Sequence, residues 1–204
     1  MGPKNIFIAI VAVIAIGTGA WFSSRLLLPP PALQTATVLP APGELPEFSL
    51  LDHNGQAIGR DVFDGHWSLV FFGFTRCPDI CPLTLQVLSN ANMQLADKGQ
   101  KPLPRIVLVS VDPERDTPEI MQQYVAYFGD DILGVTGELE ELRKLTRGLG
   151  IFFEKAVLDG DNYSINHSAV VLVINPDGRL HALFGAPHLA ENYVHDLPLI
   201  MARR

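Results

Sequence analysis

Cysteine is nearly absent from this 204-residue chain. Only Cys77 and Cys81 occur, too few for a disulfide scaffold, so the pair reads as a site. A surplus of positive charge is also missing. Setting residues 1–25 aside removes Lys4 and Arg25 and no acid, leaving 13 basic against 22 acidic residues, a net charge of −9. Nucleic-acid binding relies on Lys and Arg neutralising phosphate, and that balance excludes nucleic acid as a partner. An acidic domain suits a cationic partner or a metal ion, though acidity also serves solubility alone. There is no internal repeat, and no proline lies between Pro118 and Pro176.

What the first 25 residues lack is charge. Ile6–Phe22, IFIAIVAVIAIGTGAWF, contains none, and no polar face exists in it to meet water. At 17 residues it is at the short limit for crossing a bilayer. Lys4 precedes it, Arg25 follows it, and Trp21 and Phe22 stand where an interfacial aromatic anchor lies. The segment 1–25 therefore reads as a membrane anchor with its helix at about 6–22. A cleaved signal peptide with Thr18-Gly19-Ala20 as its small-residue site is the competing reading. No cysteine follows the run, which argues against lipid modification. Residues 26–46 carry Pro29, Pro30, Pro31, Pro40, Pro42 and Pro46. They read as a stiff, extended spacer without helix or sheet, and the domain is expected over 47–204.

Within that domain, strand and helix patterns alternate. Phe48–Leu51, Ser68–Phe74, Arg105–Val111, Ala169–Asn175 and Arg179–Phe184 read as strands. Leu83–Asp97 reads as a helix on Leu83, Val87, Leu88 and Met93; Pro118–Phe128, Glu138–Leu149 and Leu189–Ala202 are further helices, the last interrupted by Pro198. This order predicts an α/β sandwich with a central mixed sheet, the thioredoxin-like fold. Ligands of open α/β sheets gather at the carboxyl ends of the strands, and the two cysteines lie just past the end of the Ser68–Phe74 strand.

Pro82 suits the first turn of a helix, which places Cys81 at the N-cap and Cys77 in the preceding loop. The positive helix end predicts that both thiols ionise readily, with Arg76 adding to this. The thiolates can bind a soft metal such as Cu(I) or Zn(II), form a disulfide, or do both in turn; an inert bridge is the plain alternative. A peroxidase of the P-x-x-x-T-x-x-C type is excluded, because Phe74 and Val70 stand where Thr and Pro belong. Two thiolates leave coordination incomplete. His167 lies directly before the Ala169–Asn175 strand, where thioredoxin-type oxidoreductases carry a proline packed against their cysteines, and imidazole is a good copper ligand. Structural zinc wants four ligands, and three convincing ones exist.

FFGFTRCPDICPLTL at 71–85, VSVDPERDTPE at 109–119 and HSAVVLVINPDGRL at 167–180 closely resemble the Sco/SenC family. Those are copper-binding proteins that assist assembly of the binuclear copper centre of cytochrome c oxidase. The resemblance implies Cys77, Cys81 and His167 as copper ligands, with Cu(I) as the first cargo and Cu(II) as an alternative. It departs at Asn166, where an acidic residue often precedes the histidine. The family includes thiol reductases, so two functions stand: a metallochaperone delivering copper to subunit II of the oxidase, and a thiol–disulfide oxidoreductase keeping that acceptor's cysteines reduced. A periplasmic copper donor or thiol reductant is the implied second partner.

Asp112 and Asp116 follow the Arg105–Val111 strand and face the same end, in a supporting or partner-contact role. Against this, Asp112-Pro113 reads as a turn, and Asp116 with Glu119 has capping-box spacing. Asp79 reads as solvated, with partner contact as its alternative. His53, His66, His181, His188 and His195 lack ligand-like spacing and read as surface or satisfied histidines. Phe71, Phe72 and Phe74 read as core, and Tyr124, Tyr127 and Phe128 as a helix packing face. No Arg-rich, acid-poor presequence precedes the apolar run. The expected location is a bacterial inner membrane, single-pass, with a cytoplasmic N-terminus and the domain in the periplasm.

Overall fold

The structure is a computed structural model, and it describes residues 2–27, 32–158 and 162–202. The chain divides into two units, Met1–Ala32 and Leu33–Arg204. The first contains one helix, α1 (Pro3–Leu27), longer at both ends than the expected 6–22. Its 25 residues rise about 37 Å, against a hydrocarbon core of about 30 Å. Over Pro3–Trp21 it is long and apolar enough to cross a membrane.

The second unit is built on an eight-stranded mixed sheet. In chain order its strands are β1 (Thr37–Glu44), β2 (Leu50–Asp52), β3 (Ala57–Ile58), β4 (Ser68–Gly73), β5 (Arg105–Ser110), β6 (Ile132–Thr136), β9 (Val171–Ile174) and β10 (Arg179–Phe184). The spatial order is β1-β10-β9-β4-β5-β6-β2-β3. Strands β4, β5 and β6 are parallel, and β9 and β10 add antiparallel neighbours. Parallel pairs need crossover helices: α2 (Ile80–Asp97) joins β4 to β5, and α3 (Pro118–Ala126) joins β5 to β6. Helix α4 (Leu139–Gly148) follows β6, and α5 (Ala190–Ala202) closes the chain. Two more strands, β7 (Phe153–Val157) and β8 (Tyr163–His167), form a separate antiparallel pair. This is the thioredoxin-like architecture expected from the element order.

All six residues of β4 are buried. Each large apolar side chain there contributes roughly 1.5–3 kcal/mol by leaving water. In α2 the buried positions are Cys81, Thr84, Leu85, Leu88, Ala91 and Leu95, a stripe at helical spacing. It is rotated from the expected one: Leu83 and Met93 are exposed. The helix ends at Lys98, where Gly99 takes a positive φ of 77° and the Gln100 N–H reaches back to the Leu95 carbonyl, a glycine stop. Helix α3 is capped by Thr117, whose hydroxyl accepts from the Ile120 N–H, so the expected Asp116–Glu119 box does not form. Tyr127 lies past the end of α3 and is 86% exposed, so it is no part of a packing face. Helix α5 runs through Pro198; its buried Tyr193, Val194, Leu197, Ile200 and Met201 outweigh the lost backbone bond.

The largest correction concerns residues 26–46. Residues 26 and 27 finish α1, residues 28–31 lie outside the described residues, and 37–44 form β1. The prolines do not prevent this because β1 is an edge strand. Its pairing to β10 runs through Thr37 and Val38, shifts register, and resumes at Gly43 and Glu44. Pro40 and Pro42 fall in that irregular stretch, where no ladder N–H is required. The domain thus begins at Leu33, not at Glu47. Asp196 of α5 secures the approach to β1. Its buried carboxylate accepts from the backbone N–H groups of Gln34, Thr35 and Ala36 at 2.8, 2.9 and 2.9 Å, and from His195 Nδ1 at 2.7 Å.

Burial alone would raise the Asp196 pKa, but the backbone donors and His195 hold it below its ordinary 3.8. A depressed carboxylate contributes stability that is complete above the unfolded value and is lost as pH falls through the folded one. Asp196→Ala is expected to cost about 3 kcal/mol, roughly 6–12 °C in melting temperature for a domain of this size. It should also open residues 33–44 to limited proteolysis. The melting difference from wild type should shrink below pH 4; a difference constant with pH would contradict the ionised clamp.

Candidate metal centre

Strand β4 delivers the cysteines. It ends at Gly73, and the Cys77 N–H turns back to the Phe74 carbonyl at 3.2 Å. Helix α2 then starts at Ile80 with Asp79 at its N-cap position. Cys81 therefore sits inside the first turn, not at the cap. Its side chain is fully buried, whereas Cys77 is half-buried. The sulfur of Cys81 occupies space that only glycine leaves: a Cβ on Gly73 would lie 2.9 Å from it, with Phe71 at 3.1 Å and Leu108 at 3.4 Å.

His167 arrives from elsewhere, at the end of β8. The Ser168 N–H donates to the Phe152 carbonyl at 2.9 Å, and the Phe152 N–H donates to Ser168 Oγ at 3.0 Å. His167 Nδ1 lies 3.1 Å from the Ser168 carbonyl. A carbonyl only accepts, so Nδ1 donates to it, which leaves Nε2 as the nitrogen that faces the sulfurs and can turn to a metal. Nε2 lies 3.4 Å from Cys81 Sγ. Phe71 and Phe74 meet the imidazole edge-on, each at 5.9 Å between centroids, walling one side of the site from water. Asn166 is exposed on the opposite face of the strand, so its departure from an acidic residue leaves the donors untouched.

The donor atoms of Cys77, Cys81 and His167 all lie within 4.8 Å of one another, the one such group of three found among the described residues. Donors sharing one ion at about 2.0–2.3 Å stand roughly 3.5–4 Å apart, so two sulfurs and one nitrogen fit a single soft cation with small adjustments.

The two thiols differ, contrary to the expectation that both ionise readily. The Cys77 pKa is pulled down to about 4 by a hydrogen bond from the Cys81 thiol, against the opposing effect of burial. His167 and the backbone N–H groups of Asp79 and Cys81 lower it further. Cys81 is pushed up, first by that same bond to Cys77 and then by burial. The shifts run in opposite directions, so Cys77 is the more acidic sulfur and Cys81 the one that keeps its proton and donates. Arg76 is exposed.

The carboxylates support the site from behind. Asp116 is buried and accepts from the Thr75 N–H at 3.0 Å, Thr75 Oγ1 at 2.5 Å and Ser110 Oγ at 2.6 Å, fixing the chain two residues before Cys77. Burial raises its pKa. Asp112 pairs with Arg115 and accepts from the Tyr163 hydroxyl at 2.8 Å. Neither joins the three donors. Asp79 is exposed; its backbone N–H faces the Cys77 sulfur while its side chain caps nothing. Of the other histidines, His53 accepts from the Gly134 N–H, His66 bonds the Asp64 carbonyl, and His188 bridges the Ala169 carbonyl and Tyr193. His181 packs edge-on to Trp67 with both ring nitrogens buried and unpaired. Sequence reasoning did not find Gly73, Thr75, Arg115 or Tyr163. A glycine closing an apolar strand is a recognised mark of close approach, and was the available signal for Gly73.

Two outcomes follow from this geometry. In the reduced, metal-free protein, iodoacetamide should label Cys77 at pH 6, where an ordinary thiol of pKa about 8.5 is almost wholly protonated; mass mapping should find Cys81 unlabelled, and equal labelling would refute the shared proton. Gly73→Ala should displace Cys81 Sγ and weaken Cu(I) binding about tenfold or more, read by competition with a chromogenic chelator. Unchanged affinity would show that Cys81 does not need that space.

Over residues 39–202 the chain matches the sequence model of the SCO1/SenC family. A Stutzerimonas stutzeri protein named for copper binding is 36% identical over 171 residues, 83% of each chain. The mitochondrial SCO2 homolog of Mus musculus is 38% identical over 152 residues, 74% of this chain but only 60% of its own length. Among solved structures, Arabidopsis thaliana ScoI with copper bound superposes with a TM-score of 0.74 at 28% identity, covering 78% of this chain and 99% of that one. The chain belongs to the SCO1/SenC family.

Proposed function

We propose that the chain is a membrane-tethered copper metallochaperone. It binds copper through Cys77, Cys81 and His167 and delivers it to the binuclear copper centre of cytochrome c oxidase subunit II. The observation that carries this reading is the convergence of two sulfurs and one imidazole nitrogen within 4.8 Å. Thiolates select Cu(I) over hard cations, and imidazole suits copper in either oxidation state. The copper-bound ScoI fold and the copper-binding name of the Stutzerimonas relative support copper as the cargo. Three donors leave room for a fourth, so an incoming thiolate can join the ion before Cys77, the half-buried ligand, lets go. Helix α1 supports a single-pass anchor, in a bacterial inner membrane with the N-terminus cytoplasmic and the domain periplasmic. A periplasmic donor supplies the metal there.

A second reading is favoured by the low Cys77 pKa: a thiol–disulfide oxidoreductase acting on the acceptor's cysteines, fed by a periplasmic thiol reductant. The Cys77 thiolate attacks one sulfur of a partner disulfide and releases the other as a thiolate. Cys81 then loses its proton and attacks Cys77. The products are a Cys77–Cys81 disulfide and two reduced partner sulfurs, two electrons having passed to the partner.

His167→Ala separates the two. It should weaken Cu(I) binding by more than the roughly 10–100-fold that losing a supporting hydrogen bond costs, while disulfide exchange proceeds. Wild-type protein should hold one copper per chain when reduced and none when oxidised, by metal analysis. No copper in either state favours the reductase, and unchanged affinity in His167→Ala removes the three-donor site.

A further inference from the structure

His167 is the one donor that does not come from the cysteine loop. It ends β8, and β7 and β8 pair only with each other among the described residues. Contacts other than sheet ladders must therefore hold the imidazole against Cys81. Side chains at i, i+2 and i+4 of a strand share one face, which puts Tyr163, Ile165 and His167 together on β8. Ile165 is buried in the core. The Phe152–Ser168 bonds close the hairpin at the His167 end.

Tyr163 fixes the other end. Its hydroxyl donates to Asp112 Oδ1 at 2.8 Å, and its carbonyl accepts from Arg115 Nη1 at 3.1 Å. The Arg115 guanidinium and the Lys155 ammonium lie 3.7 and 3.9 Å from its ring centroid. Lys155 in turn pairs with Glu114 at 2.8 Å. The receiving groups are set firmly: Asp112 is 2% exposed and ion-paired with Arg115. The segment that receives Tyr163 also carries Asp116, which holds Thr75 ahead of Cys77. One loop, 111–117, thus braces both halves of the donor set.

We infer that Tyr163 is a positioning residue of the metal centre: docked on Asp112 and Arg115, it sets the rotation of β8 and so the approach of His167 Nε2 to Cys81. This rests on the three-donor reading above. Tyr163 touches no metal and acts only through His167, which makes its contribution separable from general stability by a double-mutant cycle.

The test uses the full-length chain in detergent, with Cu(I) affinity measured by chelator competition. Tyr163→Phe keeps the ring and its cations and removes only the hydroxyl. It should weaken Cu(I) binding about tenfold in the wild-type background, the low end of what a lost supporting hydrogen bond costs a metal site. It should cause no further loss in a His167→Ala background. Cys77 alkylation at pH 6 should change little, because the hydrogen bond from Cys81, the largest cause of its low pKa, is kept. The same loss in both backgrounds, or no loss in wild type, would overturn the proposal. A His167→Ala protein that binds Cu(I) like its parent would overturn the ligand set first, an outcome distinct from a failure of Tyr163 alone.

Discussion

Everything at the candidate centre depends on one approach, the 3.4 Å between Cys81 Sγ and His167 Nε2, made between residues 86 positions apart. Neither partner holds it alone. Cys81 is placed locally, by a strand, a tight loop and the first turn of α2, and it needs the space that Gly73 leaves open. His167 is placed by a hairpin outside the main sheet. The unfolded chain has no such site, so any free energy of binding a metal there is also free energy of folding. Metal loading should be felt by β8 and the 111–117 loop as much as by the cysteine loop.

The proton shared by the cysteines decides what the site can exchange. Before loading, the two sulfurs carry one proton between them, a charge of −1. A monovalent ion bound to two thiolates again gives −1, because the ion takes the place of the Cys81 proton. The buried surroundings of Phe71, Phe74 and Cys81 therefore meet no change of charge when Cu(I) enters, and the desolvation cost of creating a new buried charge is avoided. A divalent ion changes the balance by one unit. Oxidation to a disulfide removes the thiolate charge, the proton and both sulfur ligands together, so it competes with the metal for the same atoms.

The sequence made the donors legible and the scaffolding only partly so. Cys77 and Cys81 stood out because cysteine is otherwise missing, and His167 because a histidine stood where a proline was expected. The buried strands β4, β5 and β9 are continuous apolar runs, which periodicity finds readily. Strand β1 was misread because Pro40 and Pro42 argue against a strand in general, while their placement in an irregular edge is a tertiary fact. The buried stripe of α2 was misplaced because Leu83 and Met93 are apolar yet exposed. The thiol asymmetry was out of reach, since a helix dipole acts on both sulfurs, and only their mutual hydrogen bond and unequal burial set them apart. Tyr163 was invisible for a similar reason: its partners, Asp112 and Arg115, lie about 50 residues away in sequence.

The two candidate chemistries use the same sulfurs, so the cysteine loop cannot by itself decide between them. A thiolate beside a protonated thiol at a helix start is what disulfide exchange needs, and most of that arrangement comes from β4 and α2, with His167 of β8 lowering the Cys77 pKa further. The hairpin adds the imidazole. Its attachments are identifiable: Ile165 in the core, Phe153 packed against it, and Tyr163 with Lys155 against Asp112, Glu114 and Arg115. Changes there alter how firmly His167 is offered while leaving the Cys77–Cys81 hydrogen bond in place. A scaffold arranged this way can shift from thiol exchange towards metal transfer through the hairpin alone, and the fold need not change for the balance between them to move.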